Sequence, residues 1–388
     1  MDKLGRYQDA VVQAVAPLAP ERVRLSLASG RRLAEPVHAL RPAPPLTCSA
    51  MDGFAVRAAD VTGPARLQVV RAIFAGDLPG APLGPGQAAR IYTGAPLPPG
   101  ADAVVREEAA REEGAWVSFR APVREGEHVR PQGEDVPAGG LALEAGARLG
   151  PRQLGLCVAV GVQEVVAVRR PRAVVLATGD EVVRGRTPDS NGPVLEAALA
   201  ALGAEVELRR VPDDLDALTG ELRGALAAAD AVLTVGGVSV GARDHVRAAL
   251  ERLGAEVRVH GVPMKPGKPF LFALSGGKPV FGLPGSPSAC LVAFEVFVRP
   301  ALLRLAGAAR PFRRRLELRL AAPLRGKPGR ARLIWARLDD DGRVRPIGRD
   351  AAQIRGPALA DALVVAPSEA GELAEGTPVE TWLLEEGR

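Results

Sequence analysis

Four short stretches of the chain combine glycines with residue types that handle anions and metal ions. They are Thr178-Gly179-Asp180-Glu181; Gly236-Gly237-Val238-Ser239-Val240-Gly241, followed by Asp244; Met264-Lys265-Pro266-Gly267-Lys268-Pro269; and Pro284-Gly285-Ser286-Pro287. Glycine-rich turns let backbone N–H groups approach an anion, most of all where a helix begins and its dipole favours negative charge. The second stretch is neither the G-x-G-x-x-G dinucleotide fingerprint nor a P-loop, because no Gly-Lys-Ser/Thr follows it. Glu181, Asp213 and Asp244 supply carboxylates. Grouped beside phosphates, these suggest a Mg²⁺ site, since this hard ion takes oxygen from one or two carboxylates plus substrate phosphates. Lys265 and Lys268 supply point charges for a phosphate or another oxyanion. Plainer roles stand open beside these: Asp244 as a helix cap, Asp213 or Asp214 capping the helix after it, Glu181 as a solvated loop charge, and the glycines as tight turns.

Composition makes two of these features stand out. Arginine outnumbers lysine 45 to 5, yet Lys265 and Lys268 lie three residues apart, each followed by proline. Asparagine occurs once, in Asp189-Ser190-Asn191. An N-cap is the ordinary role for such a residue, and ligand binding the alternative.

The elements that must position these residues follow from hydrophobic periodicity. Short apolar runs at 173–177, 205–211, 231–235, 257–262 and 279–283 alternate with amphipathic stretches at 193–202, 214–228, 245–253 and 288–305. This is the pattern of βαβ units around a parallel sheet, with right-handed crossovers. Each polar stretch then falls at the carboxyl end of a strand, where open α/β sheets bind ligands. Residues 43–140 differ: short runs at 67–74, 101–107 and 116–119, broken by Pro and Gly, predict a β-rich domain. Residues 313–384 repeat that style, with alternation at 315–320 and 332–338, and predict a small barrel or sandwich. The first 15 residues predict an amphipathic helix rather than a signal peptide. Residues 21–40 and 141–166 give no reading by pattern alone.

The whole chain narrows the class. At 388 residues it is too long for one compact core, and its 47% hydrophobic and 24% charged residues fit a soluble multidomain protein. No apolar run approaches the roughly 20 residues of a membrane span. Cys48, Cys157 and Cys290 lie far apart and form no C-x-x-C pair, which argues against a disulfide framework or zinc site and fits a reducing cytoplasm. A net charge of +5 spread along the chain, with aromatics at 4%, offers no basic, ring-lined groove for nucleic acid. Anionic small molecules are the expected ligands.

Two further segments, Ser49-Ala50-Met51-Asp52-Gly53-Phe54-Ala55-Val56-Arg57 and Thr93-Gly94-Ala95-Pro96-Leu97-Pro98-Pro99-Gly100-Ala101-Asp102, read on physical grounds only as turns with exposed polar residues. Taken together, however, the motifs resemble the MoeA family, whose eukaryotic relatives include the E domain of gephyrin. The matching segments are 49–57, 93–105, 130–139, 178–181, 189–191, 236–244, 264–269 and 282–287, in family order across nearly the whole chain.

The resemblance implies an α/β plus β multidomain fold and an L-shaped homodimer with a composite active site. In each chain a central, doubly wound MogA/MoaB-like α/β domain is flanked by β-rich domains and a C-terminal β-barrel. On this chain the parts are an N-terminal helix packing on the central domain (1–20), an elongated linking domain (21–40 with 141–166), a β-rich second domain (41–140), the central molybdopterin-binding domain (167–310) and the barrel (311–388). The implied activity is a molybdopterin molybdenumtransferase, which takes adenylylated molybdopterin, molybdate and Mg²⁺ and releases AMP. Catalytic roles carry over to Asp52, Thr93, Glu181, Asp213, Asp244, Lys265 and Lys268, with Glu181 and Asp244 as metal ligands. Substrate binding is expected at Thr178, Gly179, Asp180, Asn191, Gly236, Gly237, Ser239, Gly241, Pro284, Gly285, Ser286 and Pro287.

The sequence also departs from the family. Gly285-Ser286-Pro287 replaces Gly-Asn-Pro, Ala289 replaces a usual serine with Ser288 one place earlier, Arg355-Gly356 stands where paired serines are frequent, and Gln132 precedes Gly133-Glu134-Asp135. Two other readings belong to different classes: an adenylyltransferase of the MogA/MoaB type, which would also serve as an upstream partner, and a non-catalytic molybdopterin-binding scaffold. The extra domains and the Asp52 segment speak against the first, and the retained carboxylates and lysines against the second.

Overall fold

A computed structural model describes residues 3–238, 245–326, 328–347 and 354–384. The chain divides into two compact units, residues 22–167 and residues 1–21 with 168–388.

The larger unit is organised by a six-stranded sheet in the order Glu205–Val211, Arg172–Thr178, Ala231–Val235, Lys278–Leu283, Leu271–Ser275, Glu256–His260. The first four strands are parallel. Side chains alternate across a strand, and Ala173 and Val175 face one core with the helices Lys3–Gln13 and Gly192–Ala201, while Val174 and Leu176 face another with Leu215–Ala228 and Val246–Arg252. Helices thus cover both faces, as a doubly wound domain requires.

One expectation is corrected: the sheet is mixed. Leu271–Ser275, not expected as a strand, forms a hairpin with Lys278–Leu283, and Glu256–His260 pairs antiparallel beyond it. Gly276 and Gly277, both with positive φ, make the tight connection that parallel crossovers cannot use.

The helical stretch expected at 288–305 is a helix from Pro287–Ala293, a π turn at Phe294–Val298 and a helix at Arg299–Leu305. Pro300 has no N–H to give the Val296 carbonyl four residues back. Buried Gln8 donates its side-chain amide to that carbonyl at 3.0 Å, fastening the N-terminal helix there.

The C-terminal strands Arg315–Arg319, Ala331–Leu338, Val344–Pro346, Ala362–Ala366 and Pro378–Leu383 form a further sheet. Met264–Lys265 joins it by pairing parallel with Ala331 and Arg332. Among the described residues this sheet has no continuous closing ladder; a single bridge, Leu320 to Val344, joins its two ends.

The smaller unit contains a six-stranded sheet ordered Ala103–Arg106, Gly53–Val56, Gln87–Ile91, Ala65–Ile73, Trp116–Phe119, Ala110–Glu113. Its second strand corrects another expectation, because residues 53–56 are buried sheet and not an exposed turn. Gly53 explains the fit: a Cβ there would lie 2.0 Å from the Val105 carbonyl oxygen, so only glycine allows this pairing. The stretches that gave no reading hold a core of their own, in which Val23, Leu33, Leu149, Cys157 and Ala167 pack together.

Candidate active site

Strand order 2-1-3 in the central sheet creates a switch point between Arg172–Thr178 and Ala231–Val235, where the chain leaves in opposite directions and a crevice opens at the carboxyl ends. The two loops are tied together there. Thr178 donates its hydroxyl to the Val235 carbonyl at 2.9 Å. Gly236 has φ 90°, and a Cβ on it would lie 2.8 Å from the Thr178 Oγ1, so glycine is required on two counts.

The glycines do not all serve as anion donors. The Gly179 N–H goes to the Val211 carbonyl and the Gly236 N–H to that of Leu283. Among the glycine positions expected to bind substrate, these two shape the crevice. Ser239, Gly241 and Asp244 lie outside the described residues.

The carboxylates separate into distinct tasks. Asp214 caps the helix Leu215–Ala228 by accepting from the Ala217 N–H at 2.8 Å, which leaves Asp213 free of that duty. Asp213 instead exchanges contacts with Asp180: each carboxylate accepts the other's backbone N–H, at 3.4 and 3.3 Å. Glu181 folds back so that its carboxylate oxygen would be 2.7 Å from a Cβ at Gly179. Among the described residues no group of three His, Cys, Asp or Glu side chains is gathered for a metal ion.

Asn191 is not a side-chain cap. Its amide donates to the Gly285 carbonyl at 2.7 Å, linking the loop before Gly192–Ala201 to the loop before Pro287–Ala293. Asp189, two residues before Asn191 and not expected in the site, has a side chain only 7% exposed. One oxygen accepts the Gly192 N–H at 2.8 Å; the other has only the Arg210 guanidinium, 3.6 Å away. Ser286 precedes the helix without a side-chain cap, and Ser288 is turned inward to accept the Trp335 indole N–H at 2.8 Å. The glycine after Asp189-Ser190-Asn191 was the available clue, since a Cβ on Gly192 would strike the Asp189 carboxylate at 2.4 Å.

Lys265 and Lys268 are both exposed, and neither has a carboxylate partner among the described residues. Their loop is nonetheless fixed: the Lys268 carbonyl accepts from the Val262 and Phe270 N–H groups at 3.0 and 2.9 Å. Two unpaired ammonium groups on an anchored loop suit an anionic ligand.

In the smaller unit, Asp52 Oδ1 accepts both the backbone N–H and the hydroxyl of Thr93, each at 2.7 Å. Those bonds, the backbone one first, hold the Asp52 carboxyl below its ordinary range. The pairing joins two segments 41 residues apart that the sequence alone left as separate turns.

Comparisons with known proteins agree on one family. Residues 4–161 match the MoeA N-terminal region (domain I and II), residues 174–304 a probable molybdopterin binding domain, and residues 317–384 the MoeA C-terminal region (domain IV). The chain is 35% identical to molybdopterin molybdenumtransferase 2 of Mycobacterium tuberculosis, covering 99% of this chain and 100% of that one. It is 40% identical to the molybdopterin molybdenumtransferase of a Nostoc species over 75% of this chain and 70% of the other. Among solved structures, a molybdopterin biosynthesis MoeA protein of Pyrococcus superposes with a TM-score of 0.80 at 32% identity, covering 99% of both chains.

Proposed function

The chain belongs to the MoeA family, and from that premise we propose that it is a molybdopterin molybdenumtransferase, inserting molybdenum from molybdate into adenylylated molybdopterin with release of AMP. The observation that carries this reading is the convergence of Thr178, Glu181, Asp213, Gly236 and the Asn191–Gly285 pair at one edge of a doubly wound sheet. Lys265 and Lys268 are proposed to hold phosphate or molybdate oxygens. Asn191, Gly285, Ser286 and Pro287 border the same edge and orient the substrate.

The chemistry of the Glu181 side chain suits the Mg²⁺ that the family implies. The Glu181 carboxylate makes no hydrogen bond or ion pair among the described residues, and carboxylate oxygens are the ligands this hard ion takes. Glu181 and Asp244 would hold it, with substrate phosphates completing the shell. When bound, it would offset the repulsion between these carboxylates and a diphosphate as AMP departs. Asp180 and Asp213, through their mutual backbone contacts, keep the Glu181 loop in place.

We further propose a cytoplasmic homodimer in which Asp52 and Thr93 of one chain complete the site around Glu181 of the other, divided into the five parts given above. A MogA/MoaB-type adenylyltransferase would supply its substrate. No helix among the described residues is long and apolar enough to cross a membrane.

The test is incubation with adenylylated molybdopterin, Mg²⁺ and molybdate. AMP release with molybdenum retained on the pterin is expected, and neither occurring would overturn the reading. Mixing Asp52→Ala with Glu181→Ala chains under conditions of subunit exchange tests the shared site: partial activity should return, and none despite proven exchange would refute it.

A further inference from the structure

Aromatic side chains are scarce here, at 4% of residues, and most of the large ones are buried. Phe74 is an exception, 53% exposed. One face of its ring lies flat on Tyr92, with centroids 4.8 Å apart and planes at 11°. Trp116 is also exposed, but the Arg66 guanidinium covers its ring at 5.1 Å.

Strand register puts Phe74 beside Asp52. Ile91 pairs with both Ile73 and Gly53, so the residues one step beyond these pairs, Phe74, Tyr92 and Asp52, gather at one end of three adjacent strands. Thr93, the donor to Asp52, immediately follows Tyr92.

The stack is braced from behind. The Phe74 N–H donates to the Asp77 carboxylate at 2.7 Å, and the Asp77 N–H donates to the Phe74 carbonyl at 3.1 Å. Arg90 donates to the Tyr92 hydroxyl at 3.1 Å and is itself paired with Glu107 and Glu112. A ring fixed in this way loses little freedom when a flat ligand settles on its open face.

We propose that the open face of Phe74 is a stacking platform for a planar heteroaromatic ring of the substrate. This rests on the reading of Asp52 as part of the active site. The adenylylated pterin carries two such rings, adenine and pterin, which share the chemistry of a flat π-surface.

The variant Phe74→Leu keeps an apolar side chain but removes the ring. The KM for adenylylated molybdopterin should rise roughly ten-fold, in line with base–aromatic stacking, while kcat and the KM for molybdate stay unchanged. Phe74→Trp retains a ring and should restore the substrate KM. It also places an indole at the platform, whose emission can be titrated with AMP and, separately, with molybdopterin. Quenching by AMP assigns adenine and quenching by molybdopterin assigns pterin, and either supports the platform. An unchanged KM in Phe74→Leu, or no quenching by either probe, overturns it. The reading beneath is tested separately by Asp52→Ala. Wild-type turnover in that variant removes the site and the platform together, whereas an inactive Asp52→Ala with an unaffected Phe74→Leu removes the platform alone.

Discussion

Asn191 and Gly285, 94 residues apart, are joined by a 2.7 Å hydrogen bond from the Asn191 side-chain amide to the Gly285 carbonyl. The bond spans two loops that both lead into helices, at Gly192–Ala201 and Pro287–Ala293, so it fixes the spacing of the crevice wall. The single asparagine of the chain is therefore used as a cross-loop donor and not as a cap.

Replacing it by Ala should loosen the Pro284-to-Pro287 turn. A bond of this kind contributes about 0.5–1.5 kcal/mol, so a small loss in stability is expected together with a raised KM for adenylylated molybdopterin. Asn191→Asp should be worse, because a carboxylate cannot donate and faces a carbonyl oxygen. Steady-state kinetics on the two variants decide the matter: Asp equal to wild type would remove the bond from the account.

The Asp52–Thr93 pair makes a prediction about pH. Bonds from Thr93 favour the ionised carboxylate, so the folded-state pKa of Asp52 lies below its ordinary value. Their stabilising effect is present above the ordinary carboxylate range and is lost as pH falls through the depressed value. Thr93→Val removes the hydroxyl donor but keeps the N–H, so the Asp52 pKa should move partway back up. Carbon-detected NMR titration of the Asp52 carboxyl in both proteins reads this directly, and coincident titration curves would count against it.

These residues show what a sequence reveals and what it hides. The central parallel strands were legible because each is a short apolar run between helical repeats, and their carboxyl ends located the crevice. The strand Leu271–Ser275 was not, because a parallel reading looks for crossover helices and passes over the Gly276-Gly277 hairpin turn. Gly53–Val56 was hidden by its company: a glycine and small residues beside Asp52 look like a turn until Val105 is known to press against Gly53. The pairings Asp52–Thr93 and Asn191–Gly285 depend on tertiary contact, and spacing along the chain carries no trace of them.

Ser288 and Trp335 provide a stability test. Both are buried, and the indole N–H donates to the serine hydroxyl at 2.8 Å. Ser288→Ala strands that N–H and should cost about 1–3 kcal/mol. Trp335→Phe removes the donor as well as ring volume. In the double variant the Ser288→Ala step should then cost much less than it does alone, because no donor remains to be stranded. Urea denaturation of the four proteins measures this, and strictly additive effects would show that the bond matters little.

Asp213 and Asp214 are neighbours whose substitutions should have opposite consequences. Asp214 caps the helix Leu215–Ala228 from an exposed position, so Asp214→Ala should cost about 1 kcal/mol of stability. Asp214→Asn should restore that stability, since Asn and Asp rank alike as caps. Neither change should affect turnover, because the cap faces its own helix. Asp213 does not cap; it accepts the Asp180 N–H beside Glu181, where the substrate's diphosphate is proposed to lie. Asp213→Asn keeps an acceptor oxygen and the shape of the side chain but removes the charge. Stability should shift by no more than about 0.5 kcal/mol. AMP release should nonetheless slow by roughly ten-fold or more, the equivalent of about 1.4 kcal/mol. Denaturation midpoints and initial rates of AMP formation on the three variants separate the two tasks. If Asp213→Asn turned over at the wild-type rate, or if Asp214→Asn lost activity, the division of labour drawn from the two hydrogen bonds would be wrong.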